Sequence, residues 1–85
     1  MYEVYLEQRA QRDLKKLSTE DFHRVIRTIK ALPKDPRRAG CRKISGSKND
    51  WRIRVGDYRV IYEIDKRAKA ITVMLVRHRR DVYRK

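Results

Sequence analysis

Residues 50–65 read DWRIRVGDYRVIYEID, and their alternation decides the fold. Trp51, Ile53 and Val55 alternate with polar residues, Gly56-Asp57 supplies a two-residue turn, and Tyr58, Val60, Tyr62 and Ile64 alternate again. That is the period-2 pattern of a β-hairpin, and glycine at the first turn position suits a type II′ turn. Such a turn sets Val55 opposite Tyr58, Ile53 opposite Val60 and Trp51 opposite Tyr62, giving one apolar, core-seeking face. On the other face the same register sets Arg54 opposite Arg59 and Arg52 opposite Ile61. Like charges directly opposite one another destabilise a sheet, and folding alone would favour glutamate at one of these positions. Either the arginines are solvated on an exposed face, or they form a site for an external anion.

Upstream of the hairpin, Tyr2 to Leu6 (YEVYL) alternates as a first strand. Leu6, Ala10, Leu14 and Leu17 then recur at the spacing of an amphipathic helix, with Arg9, Arg12, Asp13, Lys15 and Lys16 mostly outward. Ser18 with Asp21 resembles a capping box that starts a second helix through Phe22, Val25, Ile26, Ile29 and Leu32. Pro33 and Asp35-Pro36 stop it. A basic connection, KDPRRAGCRK, leads into a short strand around Arg42 to Ile44 and a polar loop. Downstream of the hairpin come a turn at Asp65 to Ala68 and a strand, AITVMLV from Ala70 to Val76, apolar on both faces and so placed centrally in the sheet. The pattern predicts one α+β domain over residues 1–85, with the N-terminal strand and a two-helix hairpin packed on one face of a small antiparallel sheet. The open face then carries Arg52, Arg54 and Arg59. The basic tail RHRRDVYRK leaves beside them if the last strand pairs with Tyr58 to Ile64.

Twenty-four Lys and Arg against 11 Asp and Glu give a net charge of +13, unevenly spread. Residues 1–36 carry 8 basic and 6 acidic side chains, whereas residues 37–85 carry 16 and 5. A field concentrated on one side of a small fold favours nucleic acid or an acidic protein as partner. A membrane surface fits less well, because the most basic stretches are strand and loop sequence rather than an amphipathic helix. There is no apolar run of membrane-spanning length and no secretory leader pattern, so the chain reads as soluble, intracellular and cytoplasmic. The single Cys41 has no partner for an internal disulfide and no neighbours at metal-ligand spacing. Neither a metal site nor a cofactor motif is visible.

The helical pair, the run KISGSKNDWRIRVGDYRVIYEID and the ending VRHRRDVY together resemble the RelE toxins of the RelE/ParE superfamily, from bacterial and archaeal toxin–antitoxin systems. The resemblance covers nearly the whole chain. It implies a small toxin that enters the ribosomal A site, cleaves the messenger RNA there without a metal, and is neutralised by a RelB-like antitoxin through an acidic or amphipathic segment. Carried onto this sequence, the family's two basic strand positions fall on Arg52 and Arg54, where the best-studied branch has lysines. The arginine of the next strand falls on Arg59, the arginine after the last strand on Arg79, and the terminal tyrosine on Tyr83. Arginine stays protonated to above about pH 12, so Arg52 and Arg54 cannot readily act as general bases.

Under this resemblance Arg52, Arg54, Arg59 and Arg79 clamp the scissile phosphate. Tyr83 transfers a proton or stacks on a base. His78 is either a titrating group beside the tail or a strand-end surface residue, and Asp81 reads as a local partner for Arg77, Arg80 or Arg84. The remaining basic residues, Arg37, Arg38, Arg42, Lys43, Lys48, Arg77 and Arg80 with His78, make a footprint for RNA phosphates. Two other readings stay open: a ParE-like inhibitor of DNA gyrase, which shares the fold, and a non-catalytic member that binds nucleic acid or the ribosome.

Overall fold

The computed structural model of the protein describes residues 1–82. Its elements run β1 (Glu3–Leu6), α1 (Gln8–Lys15), α2 (Thr19–Ala31), β2 (Cys41–Lys43), β3 (Asp50–Val55), β4 (Tyr58–Asp65), β5 (Ala70–His78) and the helical turn α3 (Arg79–Val82). The strands form one sheet in the order β1-β5-β4-β3-β2, an α+β fold with α1 and α2 packed against one face.

The β3–β4 hairpin pairs as the alternation requires: Val55 with Tyr58, Arg54 with Arg59, Ile53 with Val60, Arg52 with Ile61 and Trp51 with Tyr62. Gly56 turns at φ 58°, and Asp57 is not among the residues of positive φ, which separates type II′ from the type I′ turn that needs both. At the other end of β4, Asp65 Oδ1 accepts from the backbone N–H of Arg67 and Ala68 at 3.0 Å each, closing the turn into β5.

Two features depart from the alternating antiparallel picture. β1 runs parallel to β5, with Val4 opposite Ile71 and Leu6 opposite Val73. β5 also holds an irregularity: Ile61 pairs with Leu75 but Tyr62 with Val73, so Met74 is an extra residue. Ile71, Val73 and Val76 are therefore all buried, although their spacing is two and then three. The apolar run is thus a bulged strand whose core-facing set changes phase; Met74 and Leu75 are only half-buried.

The core joins Ala10 and Leu14 of α1 and Val25 and Ile29 of α2 to Ile53, Val60, Tyr62, Ile64, Ile71, Val73 and Val76 of the sheet, with Leu32 just after α2. Ser18 caps α2 by accepting from the Asp21 N–H at 3.2 Å. Phe22, in the first turn of α2, stays 36% exposed, its ring edge-on to His23. Tyr62 is fully buried and donates its hydroxyl hydrogen to Pro36 O at 2.6 Å, tying the connection after α2 down onto the sheet.

Asp13 is the main departure on α1. The sequence pattern sets it outward, yet it is 7% exposed. β1 stops at Leu6, where Glu7 N donates to Val73 O, so the later half of β5 has no strand on that side. α1 fills the gap, and Asp13 Oδ2 accepts from Val76 N at 2.9 Å and from Arg77 Nε at 3.1 Å. A carboxylate thus takes the place of the missing strand's carbonyl.

Asp13→Ala leaves the Val76 N–H unpaired in a buried place, and equilibrium urea unfolding should show a loss of about 2 kcal/mol; Asp13→Asn, which keeps an acceptor, should lose about half as much. Tyr62→Phe should cost about 1 kcal/mol in the same assay. Burial, first of all, pushes the Tyr62 phenol up, so the folded chain holds that proton more tightly than the unfolded chain does. The contribution is present below the ordinary tyrosine value of 10.0 and is lost as pH rises above it, an alkaline loss that the phenylalanine variant should lack.

Candidate functional site

On the face of the sheet away from the helices, register brings arginines of neighbouring strands side by side. Arg42 of β2 lies opposite Arg52 of β3, Arg54 of β3 opposite Arg59 of β4, and Arg59 opposite Arg77 of β5. Gly40, Arg42, Arg52, Arg54 and Arg59 line a concavity of about 250 Å³. Gly40 takes φ 93° as the chain turns into β2, a conformation that a side chain would strain. Tyr62 holds the same connection through Pro36.

Arg59 is the centre of this arrangement. It is only 7% exposed, and among the described residues its one side-chain hydrogen bond runs from Nη1 to Tyr58 O at 3.3 Å. Among the described residues none of the four lining arginines makes an ion pair. Desolvating a cation without a counter-ion is costly, and its like-charged neighbours add to that cost. A phosphate seated in the concavity relieves both, and guanidinium groups offer it forked, two-point hydrogen bonds.

The other expected site residues are distributed unevenly. Arg79 begins α3 at the turn end of the Arg54–Arg59 row; its N–H donates to Asp57 O at 2.7 Å, and its Nε lies 4.0 Å from Asp57 Oδ1. It stands next to the concavity without lining it. Arg77 pairs with Asp13, which takes it out of the set of free cations; the Asp81 side chain lies outside the described ones. His78 pairs with Tyr58 on the helix-covered face, ring edge-on at 5.5 Å, and its Nδ1 accepts from the Arg80 N–H at 3.3 Å. The sheet separates it from the arginine concavity. Arg38 is half-buried and Arg80 exposed, both outside the concavity. Arg37, Lys43 and Lys48 gather instead on the opposite face, around Trp51. Tyr83 lies outside the described residues.

Arg42 and Gly40 are the residues whose place here the sequence did not reveal. Arg42 was expected to touch RNA only as part of a wider footprint; its position beside Arg52 depends on the register of the three-residue strand β2, which so short a strand does not announce. Among the described residues no three His, Cys, Asp or Glu side chains come together as a metal-ligand set, and no helix is long and apolar enough to cross a membrane.

An oxyanion that binds this concavity stabilises the fold by mass action. At equal ionic strength, sulfate or phosphate should raise the thermal midpoint by a few degrees more than chloride does, and Arg52→Ala should diminish that difference. Equal midpoints in the three salts would show that the concavity holds no oxyanion.

Comparison with known proteins identifies the fold and the family. A family model described as the ParE toxin of the type II toxin–antitoxin system parDE matches residues 4–83. Among solved structures, the archaeal RelE–RelB complex from Pyrococcus horikoshii OT3 is similar with a TM-score of 0.81 and 26% identity, over 92% of this chain and 94% of that one. The toxin–antitoxin complex RelBE2 from Mycobacterium tuberculosis is similar with a TM-score of 0.81 and 26% identity, over 91% and 96% of the two chains. The isolated E. coli RelE toxin shares the fold with a TM-score of 0.81 at 19% identity, over 92% and 84%. A search of curated protein sequences gives no significant match. With a family match across nearly the whole chain and the same fold in RelE toxins, the protein belongs to the RelE/ParE superfamily of type II toxin–antitoxin toxins.

Proposed function

We propose that this toxin is a ribosome-dependent endoribonuclease that cuts messenger RNA in the ribosomal A site. The observation that carries the reading is Arg59, 7% exposed and without a counter-ion among the described residues, in a concavity shared with Arg42, Arg52 and Arg54. A surface selected only for binding could keep its cations solvated. A buried, preset cation is what a developing phosphorane charge requires.

In the reaction the 2′-oxygen attacks the adjacent phosphorus, a new P–O bond forms, and the bond to the 5′-oxygen breaks. One fragment is left with a cyclic phosphate and the other with a 5′-hydroxyl. Arg52, Arg54 and Arg59 hold the non-bridging oxygens, and Arg42 extends the clamp along the backbone. Arg79, beside the Gly56-Asp57 turn, reaches the same phosphate from the end of the row once it leaves Asp57. Guanidinium groups remain protonated throughout, so the proton transfers fall to Tyr83, to the RNA itself or to the ribosome. His78 takes no part, because it lies across the sheet. With so sparse an acid–base set the free chain is a poor nuclease, and the ribosome supplies the in-line geometry that makes the reaction fast.

The partner that restrains it is an antitoxin. The similar proteins of P. horikoshii and M. tuberculosis were solved as toxin–antitoxin complexes, and a chain of net charge +13 is complementary to an acidic or amphipathic segment that covers the arginine face. The toxin then acts in the cytoplasm, where ribosomes are. The ParE description of the family model favours a second reading, inhibition of DNA gyrase, for which a phosphate-sized arginine concavity has no evident use.

On ribosomes programmed with messenger and an open A site, the wild-type chain should cut within the A-site codon. Arg52→Ala, Arg59→Ala and Arg79→Ala should each slow the single-turnover rate by about 10²–10³-fold. Tyr83→Phe in the same assay assigns or removes the proton-transfer role. Absence of cuts together with inhibition of gyrase supercoiling would establish the ParE-like reading instead.

A further inference from the structure

A second cationic concavity lies on the opposite face of the sheet, at the far end of the hairpin from its turn. It encloses about 370 Å³ and is lined by Trp51 and Ile64 with Arg37, Lys43, Lys48, Lys66 and Arg67. Strand alternation along the β2 edge creates the pair: Arg42 and Arg52 line the first concavity, while their chain neighbours Lys43 and Trp51 line the second. None of its five cations makes an ion pair among the described residues. The one carboxylate in the lining, Asp65, is held by the backbone N–H groups of Arg67 and Ala68.

We infer that this concavity is a second RNA-phosphate site, one that anchors RNA without cutting it. The choice of RNA rests on the nuclease reading above. Arg37 is the preset element: its guanidinium carbon sits 5.2 Å from the centre of the Trp51 ring, so stacking holds the forked donor in place before a phosphate arrives. Lys43 and Lys48 approach from the β2 side, and Lys66 and Arg67 from the β4–β5 turn. Cations on two sides of one trough suit a backbone that carries a phosphate at every residue. An amphipathic peptide fits worse, because Trp51 already packs on the core beneath Arg37, leaving little apolar landing. Apolar landing lies elsewhere, in the groove of Val4, Leu6, Ile26, Ile29 and Pro33 between β1 and α2.

Lys66 and Arg67 are exposed turn residues whose side chains make no hydrogen bond or ion pair among the described residues, so Lys66→Ala with Arg67→Ala leaves the turn intact. Trp51 is the only tryptophan, and its emission reports on this site alone. A short oligouridylate should shield Trp51 from iodide quenching. The double variant should bind it about tenfold more weakly, with the slope of log affinity against log salt lowered by about 1 to 1.5. Arg54→Ala, altered in the other concavity, should keep the shielding. Unshielded Trp51 in the wild type, or an unchanged affinity and slope in the double variant, would overturn the inference. Equal shielding by oligoglutamate of the same charge would overturn RNA as the ligand. The assay involves neither ribosome nor cleavage, so shielding without A-site cuts retains the anchor and removes the nuclease, and cuts without shielding do the reverse.

Discussion

The two-residue turn at Gly56-Asp57 is the constraint on which the rest depends. Gly56 at φ 58° fixes a register in which each residue of β3 meets the residue of β4 equally far from the turn. A slip of one residue would send Trp51, Ile53 and Val55 to the open face and the arginines into the core. Burial of Ile53, Val60, Tyr62 and Ile64 therefore holds the arginines where they are. The repulsion between Arg54 and Arg59 is maintained by apolar burial on the reverse side of the same two strands.

Long-range pins complete what the hairpin begins. Asp13 reaches from α1 to β5, closes the sheet edge that β1 leaves open and draws Arg77 away from Arg59. Without that pairing the row Arg54, Arg59, Arg77 would hold a third charge. Tyr62 reaches the other way, from the core to Pro36, and so sets the path of the connection that delivers Gly40 and Arg42 to the concavity. Each pin serves folding, and each decides which cations remain for an anion.

The hairpin was legible pair by pair because a strand's period of two leaves a single register once the turn length is known. Both helices and the Ser18 cap were legible from spacing and residue type. Three features were not. The parallel pairing of β1 and the extra residue Met74 in β5 are set by how the sheet closes against α1, and an unbroken apolar run such as AITVMLV carries no mark of a bulge. Asp13 looks like a surface helix residue because its partners, Val76 and Arg77, lie more than sixty residues away. The site followed the same division. Arg52, Arg54 and Arg59 came from the hairpin register, whereas Arg42 needed the register of β2 and His78 needed the face on which β5 leaves the sheet.

At its β2 edge the sheet narrows to a strand of three residues. Arg42 and Lys43 are adjacent in the chain, yet they serve opposite faces. Anions held on the two faces would be kept apart by the strand and by the Arg and Lys side chains that extend from it on either side. On the reading of both concavities as phosphate sites, each anion lowers the positive potential that draws the other, so the two repel rather than assist one another. The coupling is felt most at the buried Arg59, which has the least water to screen it. Separating the two concavities by a sheet is what lets one chain carry both with little cost to either.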